Sequence, residues 1–288
     1  MRQFFTLAFD GSPRRYVVHV PARATDTALP LVLILHGAGA TAEWTLAETR
    51  WHKTADGHGF LVVLPEGTRA DPDSPPDFLR NPQVWNDVAS RPDLGQPDAD
   101  DVGFLNAVLD DVMRRFPVDP RRVYATGFSN GAGMVFRLAA SSSERFAAIA
   151  PVAGLCGFDP PRLAAPMPTL YIIGTQDPLV PPRGGDVISP WGAAVTHKPP
   201  VIDTLRRWAK ALGCHDEPAL VREENGVREL LYGPAPTGAE LRVLYVEGLG
   251  HHWPGGRGQL KKRLAGPPSD RLDANEVIWD YFARHRRA

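Results

Sequence analysis

The chain predicts an α/β fold built on a mostly parallel, doubly wound sheet with helices on both faces, and three observations carry that prediction. Five short apolar runs have the continuous, β-branched character of strands buried on both faces. Longer amphipathic stretches alternate with them, the order that produces parallel strands joined by crossover helices. The length, 288 residues, with 43% hydrophobic and 23% charged residues, is sufficient for one large, well-buried α/β unit.

Each element follows from its residues. Alternating apolar positions from Phe4 to Val20 read as an opening hairpin, turned at Asp10-Gly11-Ser12-Pro13. Leu31–Leu35 is the first continuous apolar run, and Ala42–Asp56 is read as the helix after it. Phe60–Leu64 is the second run. Residues 67–100 are rich in Pro, Asp and Arg and show little periodicity. Irregular segments of that length are uncommon in compact domains and often wall an active site, the reading that Trp85-Asn86-Asp87 favours over a surface insertion. A helix is expected over Asp101–Phe116, then strand Val123–Thr126 and helix Gly131–Ser142. Strand Thr169–Ile173, helix Val201–Leu212, strand Val243–Val246 and helix Ala274–Arg286 complete the series. Right-handed crossovers place the site at the C-terminal edge of such a sheet. With no internal repeat and no dividing linker, residues 1–288 are read as a single domain.

Composition excludes several classes. A formal net charge of −1 supplies no attraction to nucleic acid or an anionic membrane. No apolar run approaches the roughly 20 residues needed to span a bilayer. Met1–Asp10 fails as a signal peptide, because its apolar stretch is short, Asp10 interrupts it and no small-residue cleavage site follows. The compartment is left open. Two cysteines, Cys156 and Cys214, suggest free thiols rather than a metal cluster or disulfide scaffold.

The most informative stretch is Val123 to Gly133, in which a β-branched run ends at Gly127-Phe128-Ser129-Asn130-Gly131 and a helix begins at once. This is G-x-S-x-G in a strand–turn–helix setting, the context of a nucleophile elbow. The turn is so sharp that the flanks of the serine must be small. It lifts the hydroxyl clear of the sheet and puts the next N–H at a helix N-terminus, where negative charge is stabilised.

A serine hydroxyl needs a base, and the base needs an orienting acid. In this strand order the acid and then the histidine follow at the ends of later strands. Asp177 lies just past the run Thr169–Ile173, which sets it above Asp159, Asp186 and Asp203. The base is one of His251 and His252, in Gly250-His251-His252-Trp253, and spacing alone does not choose between them. The oxyanion donors expected are the N–H of Asn130 and one from His36-Gly37-Ala38-Gly39, with Ala38 first and Gly39 as the alternative. His36 comes too early in the chain to be the base and is read as a brace of that loop.

Taken together, His36-Gly37, Gly127–Gly133, Gly174–Pro181 and Gly250–Pro254 resemble the α/β-hydrolase fold group of polyhydroxybutyrate depolymerases, feruloyl esterases and related acetylxylan esterases. The resemblance runs from about Leu31 to Trp253 and includes Trp85-Asn86 and Asp100–Phe104. It implies an α/β-hydrolase fold, a serine esterase that needs no cofactor, and His251 as the base. Members often carry Cys after His-Gly, where this chain has Ala38.

The reaction this implies is ester hydrolysis through an acyl-enzyme on Ser129, with a small or oligomeric ester as substrate: short-chain, feruloyl-type or hydroxyalkanoate. Trp44, Trp85, Trp191 and Trp253, with the backbone at Gly39, are the expected substrate contacts. The alternatives are a serine peptidase or acyltransferase using the same residues, and a catalytically silent binding protein of the same fold. Zinc hydrolysis is disfavoured, because His251-His252 lack a helical i, i+4 partner or second ligand cluster.

Overall fold

β1 (Arg2–Phe9) and β2 (Ser12–His19) form the opening hairpin, with Phe9 opposite Ser12. Asp10 and Gly11 take φ of 47° and 71°, the two positive values of a tight hairpin turn. The structure is a computed structural model that describes residues 1–22, 27–89, 94, 98–192 and 195–288. The expected wall segment 67–100 therefore lies partly outside the described residues, at 90–93 and 95–97.

The remaining strands are β3 (Leu29–Leu35), β4 (Leu61–Pro65), β5 (Val118–Phe128), β6 (Ala148–Val152), β7 (Thr169–Gly174), β8 (Gly185–Ile188), β9 (Val195–Lys198), β10 (Ala219–Glu224), β11 (Val227–Tyr232) and β12 (Leu241–Val246). The helices are α1 (Ala42–Thr49), α2 (Trp51–His58), α3 (Asp101–Arg115), α4 (Asn130–Ser141), α5 (Val201–Leu212), α6 (Lys262–Ala265) and α7 (Ala274–Ala283). Among the described residues ten strands form one sheet in the order β1-β2-β4-β3-β5-β6-β7-β12-β11-β10. From β4 to β12 the neighbours are parallel, and antiparallel strands flank them at both ends. Every residue of β3, β4, β6 and β7 is buried, as helices on both faces require. On one side Trp208 of α5 meets Phe136 of α4 edge-on at 4.8 Å between ring centroids. On the other, Trp279 and Phe282 of α7 stack on Phe60 and Tyr124 at 4.0 and 4.7 Å.

The single helix expected over Ala42–Asp56 is two. Arg50 adopts φ 60° between α1 and α2, and its Nη2 donates to the Gly255 carbonyl at 2.6 Å. That bend buries the neighbouring Trp51 completely, against Phe60 and Trp253. β6 was not anticipated: Ala-Ile-Ala-Pro-Val lacks the β-branched density of the other runs, and pairing with β5 and β7 makes it a strand. β10 and β11 were likewise absent from the sequence reading, although Asn225-Gly226 (φ 53° and 73°) is a strong hairpin signal. Cys156 is buried, Cys214 is half-buried, and both are free. Among the described residues no helix is long and apolar enough to cross a membrane.

Candidate active site

Ser129 stands alone between the end of β5 and the start of α4, at φ 56° and ψ −116°. A non-glycine residue there is strained and must be held by its surroundings. Its N–H donates to Val152 of β6 at 2.9 Å, and its carbonyl accepts from Ala132 and Gly133 at 3.0 and 3.1 Å. Small flanks are obligatory. A Cβ at Gly131 would lie 2.3 Å from the Leu35 carbonyl oxygen and 2.5 Å from that of His36.

β7 and β12 run parallel side by side, and the turns that leave them are stitched together by Gln176 N–H donating to the Leu249 carbonyl at 2.9 Å. The first turn carries Asp177, whose Oδ1 accepts from the N–H groups of Leu179 and Val180 at 2.8 and 2.7 Å. Its Oδ2 lies 2.7 Å from His251 Nδ1, and both side chains are buried. The His251 ring lies 4.6 Å from that of Phe128, the residue before Ser129. His252 is turned away, with Nε2 against the Gly266 carbonyl at 3.0 Å. Of the adjacent pair, His251 is the one that meets Asp177.

The loop after β3 is braced from beneath. His36 Nε2 accepts from Gly67 N–H at 2.9 Å, which assigns the proton of the neutral ring to Nδ1, 2.8 Å from the Gly37 carbonyl. Burial pushes His36 below its ordinary pKa and keeps it neutral. Gly39 N–H is committed to the Gln83 carbonyl at 2.7 Å, which removes it as an oxyanion donor. Among the described residues Ala38 N–H has no protein acceptor. Gly39, at φ 77°, instead forms a floor: a Cβ there would sit 2.6 Å from the Phe78 ring and 3.0 Å from that of Trp191.

A cavity of about 740 Å³ opens over these groups, lined by Ser129, Asn130, Ala38 and His251. Gly39, Trp44 and Trp191 also line it. Trp85 and Trp253 do not, which corrects their expected place as substrate contacts. Trp85 is 0% exposed and donates from Nε1 to the His36 carbonyl at 3.0 Å. Trp253 is 3% exposed and donates from Nε1 to Asn275 Oδ1 at 2.9 Å. Each indole finds a buried acceptor, so each packs as core beneath the site. The described part of the wall segment does reach the cavity, through Phe78 and Leu79. Phe78 packs against Trp191 at 5.1 Å between centroids, and its carbonyl accepts from Trp191 Nε1. The β8–β9 ribbon lines the cavity through Val187, Thr196 and Lys198.

Residues after the histidine were missed by sequence reasoning. Gln259, Leu260, Lys261, Arg263 and Leu264 all line the cavity. Their approach is anchored by buried Glu48 of α1, which accepts from the N–H groups of Gly258 and Gln259 at 2.8 and 3.0 Å. A loop without periodicity carries no local signal for this. Among the described residues, no three His, Cys, Asp or Glu side chains converge as a metal-binding group.

A serine on a strained strand-to-helix turn, a loop braced beside it, and a buried Asp–His pair on the same sheet edge define an α/β-hydrolase. Comparison with known proteins agrees: an acetyl xylan esterase from Aspergillus awamori superposes with a TM-score of 0.66 at 16% identity, over 98% of this chain and 99% of that one. Residues 14–162 match the Esterase PHB depolymerase family, and the chain belongs to that family of carboxylic ester hydrolases. A Nocardia uniformis subsp. tsuyamanensis protein named "Putative esterase NocK" is 32% identical over 94% of this chain and 80% of its own length. Feruloyl esterase B of Piromyces equi is 28% identical over 83% of this chain, which spans 42% of that protein's length.

Proposed function

We propose that this serine esterase cleaves its substrate through an acyl-enzyme on Ser129, with His251 as the base and Asp177 as its orienting acid. The observation that carries the reading is the 2.7 Å contact between His251 Nδ1 and Asp177 Oδ2 on the edge where Ser129 stands. The carboxylate holds the proton on Nδ1, so Nε2 is free to accept the proton of the serine hydroxyl. Attack on the ester carbonyl forms a tetrahedral oxyanion, which the N–H groups of Asn130 and Ala38 receive. Each such donor is worth on the order of 3 kcal/mol in comparable sites. The imidazolium then protonates the leaving alcohol, and water activated by the same histidine releases the acid.

The substrate class we propose is short-chain, feruloyl-type or hydroxyalkanoate-oligomer esters. The support is a cavity with aromatic and aliphatic walls, Trp44, Phe78, Leu94, Trp191 and Leu260 among them. A panel of nitrophenyl esters, methyl ferulate and soluble hydroxybutyrate oligomers tests both parts. Wild type turns over at least one ester class, and Ser129→Ala abolishes turnover while keeping its circular dichroism. An active-site phosphonate adds one mass increment to wild type, located at Ser129. Full activity in folded Ser129→Ala would overturn the assignment.

A further inference from the structure

The turn that carries Ala38 is gripped from behind by a side chain that does not line the cavity. Residues Gly37 to Ala40 form a β-turn, closed by Ala40 N–H donating to the Gly37 carbonyl at 3.1 Å. Gly39, its third residue, takes φ 77°, the positive value that a type II turn requires there. The Gly37 oxygen also lies 2.8 Å from His36 Nδ1, which carries the proton of that ring. In a trans peptide the carbonyl and the following N–H point in opposite directions. Two donors on the Gly37 oxygen therefore aim the Ala38 N–H the other way, and Ala38 lines the cavity.

Gln83 holds this turn at two successive residues. Its carbonyl accepts from Gly39 N–H at 2.7 Å, and its Nε2 donates to the Ala40 carbonyl at 3.3 Å. The same Nε2 donates to Glu66 Oε2, while Glu66 Oε1 accepts from Ala42 N–H at 3.1 Å, at the start of α1. On its other side Gln83 Oε1 accepts from Arg69 Nη1 at 3.4 Å. A carboxylate only accepts and a guanidinium only donates, so the amide nitrogen must face Glu66 and its oxygen Arg69. Gln83 is 2% exposed, and a polar side chain so buried needs the partners it has here. The grip decides between two forms of the turn. Types I and II differ by rotation of the central peptide, Ala38–Gly39, through about half a turn. By taking the Gly39 N–H, the Gln83 carbonyl selects one of them.

We infer that Gln83, set by Glu66, is the positioning residue of the Ala38 N–H, and acts on the rate through that donor without touching the substrate. This role rests on those proposed for Ser129 and Ala38. Negative charge grows on the carbonyl oxygen only as Ser129 attacks, and a donor gives its full effect when it is aimed before the charge appears. An amide buried and bonded on both sides supplies that aim. Its loss weakens the transition state more than the ground state, because a neutral carbonyl accepts less strongly than an oxyanion.

The test compares 4-nitrophenyl acetate with its thiono analogue, in which C=S replaces C=O, reading kcat/KM for each in wild type and variants. Sulfur accepts hydrogen bonds poorly, so the thiono ester gains little from the donor. Wild type is expected to favour the oxo ester. Gln83→Met keeps the length of the side chain without its N–H groups. It is expected to lower kcat/KM for the oxo ester about ten- to thirtyfold, part of what losing a whole donor costs. The thiono ester is expected to lose much less, so the preference shrinks. Glu66→Gln turns an NH2 group against that of Gln83, leaves one oxygen for Ala42 N–H, and should shrink the preference in the same direction. Equal losses on both esters would mean that Gln83 only supports the fold, and would overturn the inference. So would wild-type rates in folded Gln83→Met. Should that variant not fold, Glu66→Gln decides alone, and an unchanged preference there overturns the inference. Failure of the underlying reading looks different. If wild type hydrolyses neither ester, the esterase chemistry on Ser129 falls; if it hydrolyses both without preference, the donors assigned to Asn130 and Ala38 fall, and the role of Gln83 with them.

Discussion

The side chain of Asn130 closes a two-bond pair on the backbone of Trp85: Oδ1 accepts from Trp85 N–H at 2.8 Å, and Nδ2 donates to the Trp85 carbonyl at 3.0 Å. The residue after the serine thereby ties the wall segment to the start of α4. Trp85 in turn donates to the His36 carbonyl, so elbow, wall and the loop after β3 are one connected unit. Asn130→Ala removes both bonds and is expected to cost about 1–3 kcal/mol of stability. The shift it allows at residue 130 is expected to lower kcat at least tenfold, about the effect of weakening one oxyanion donor. Urea unfolding and ester kinetics check this, and an unchanged unfolding midpoint would count against the clamp.

Gly131→Ala tests how tightly the elbow sits on the strand beside it. The added methyl would meet the backbone oxygens of Leu35 and His36, at 2.3 and 2.5 Å. Neither can rotate away as a side chain would. The variant is expected to lose about 1–3 kcal/mol through overpacking and most of its activity, because Ser129 and Ala38 are pushed apart. Wild-type kcat in this variant would show that the two loops are not in register.

Glu48→Gln addresses the loop after the histidine. A glutamine keeps one acceptor but presents an NH2 group to the second of the two N–H donors that the carboxylate now satisfies. Residues 259–264 lose half of their anchor, and KM is expected to rise severalfold with kcat little changed. A fall in kcat at constant KM would instead place Glu48 in the chemistry of Ser129.

His36 makes stability depend on pH with a definite sign. Burial lowers its folded pKa, whereas the unfolded chain titrates near 6.5. Above that value neither state binds the proton and the contribution is complete; it is lost as pH falls from about 6.5 toward the folded pKa. The limiting slope is about 1.4 kcal/mol per pH unit. His19 and His52, also lowered by burial, act in the same direction, while Asp101, raised by burial, acts in the opposite one. The advantage of wild type over His36→Asn in urea unfolding should therefore shrink as pH drops below 6.5. A difference independent of pH would refute the linkage.

The parallel strands were legible because helices cover both their faces, which leaves continuous apolar runs such as Leu31–Leu35 and Thr169–Ile173. β6 was not, because two alanines and a proline become a strand only through pairing with β5 and β7. The break at Arg50 was invisible for a similar reason: a hydrogen bond to Gly255, 205 residues away, holds it. The four tryptophans show the limit most clearly. All four are read from the sequence as lying in or near loops at the active edge, yet Trp44 and Trp191 line the cavity while Trp85 and Trp253 are core. Nothing in an indole announces which acceptor its N–H will find.

Local order along the chain was enough for the sheet class, the sharp turn at Ser129 and the family, since periodicity and small flanking residues act over a few positions. Folding in three dimensions decided which of two adjacent histidines meets Asp177, which N–H groups stay uncommitted, and which cations border the cavity. Those outcomes depend on contacts between residues tens to hundreds of positions apart, whose geometry is set by the packing of the whole sheet and its loops.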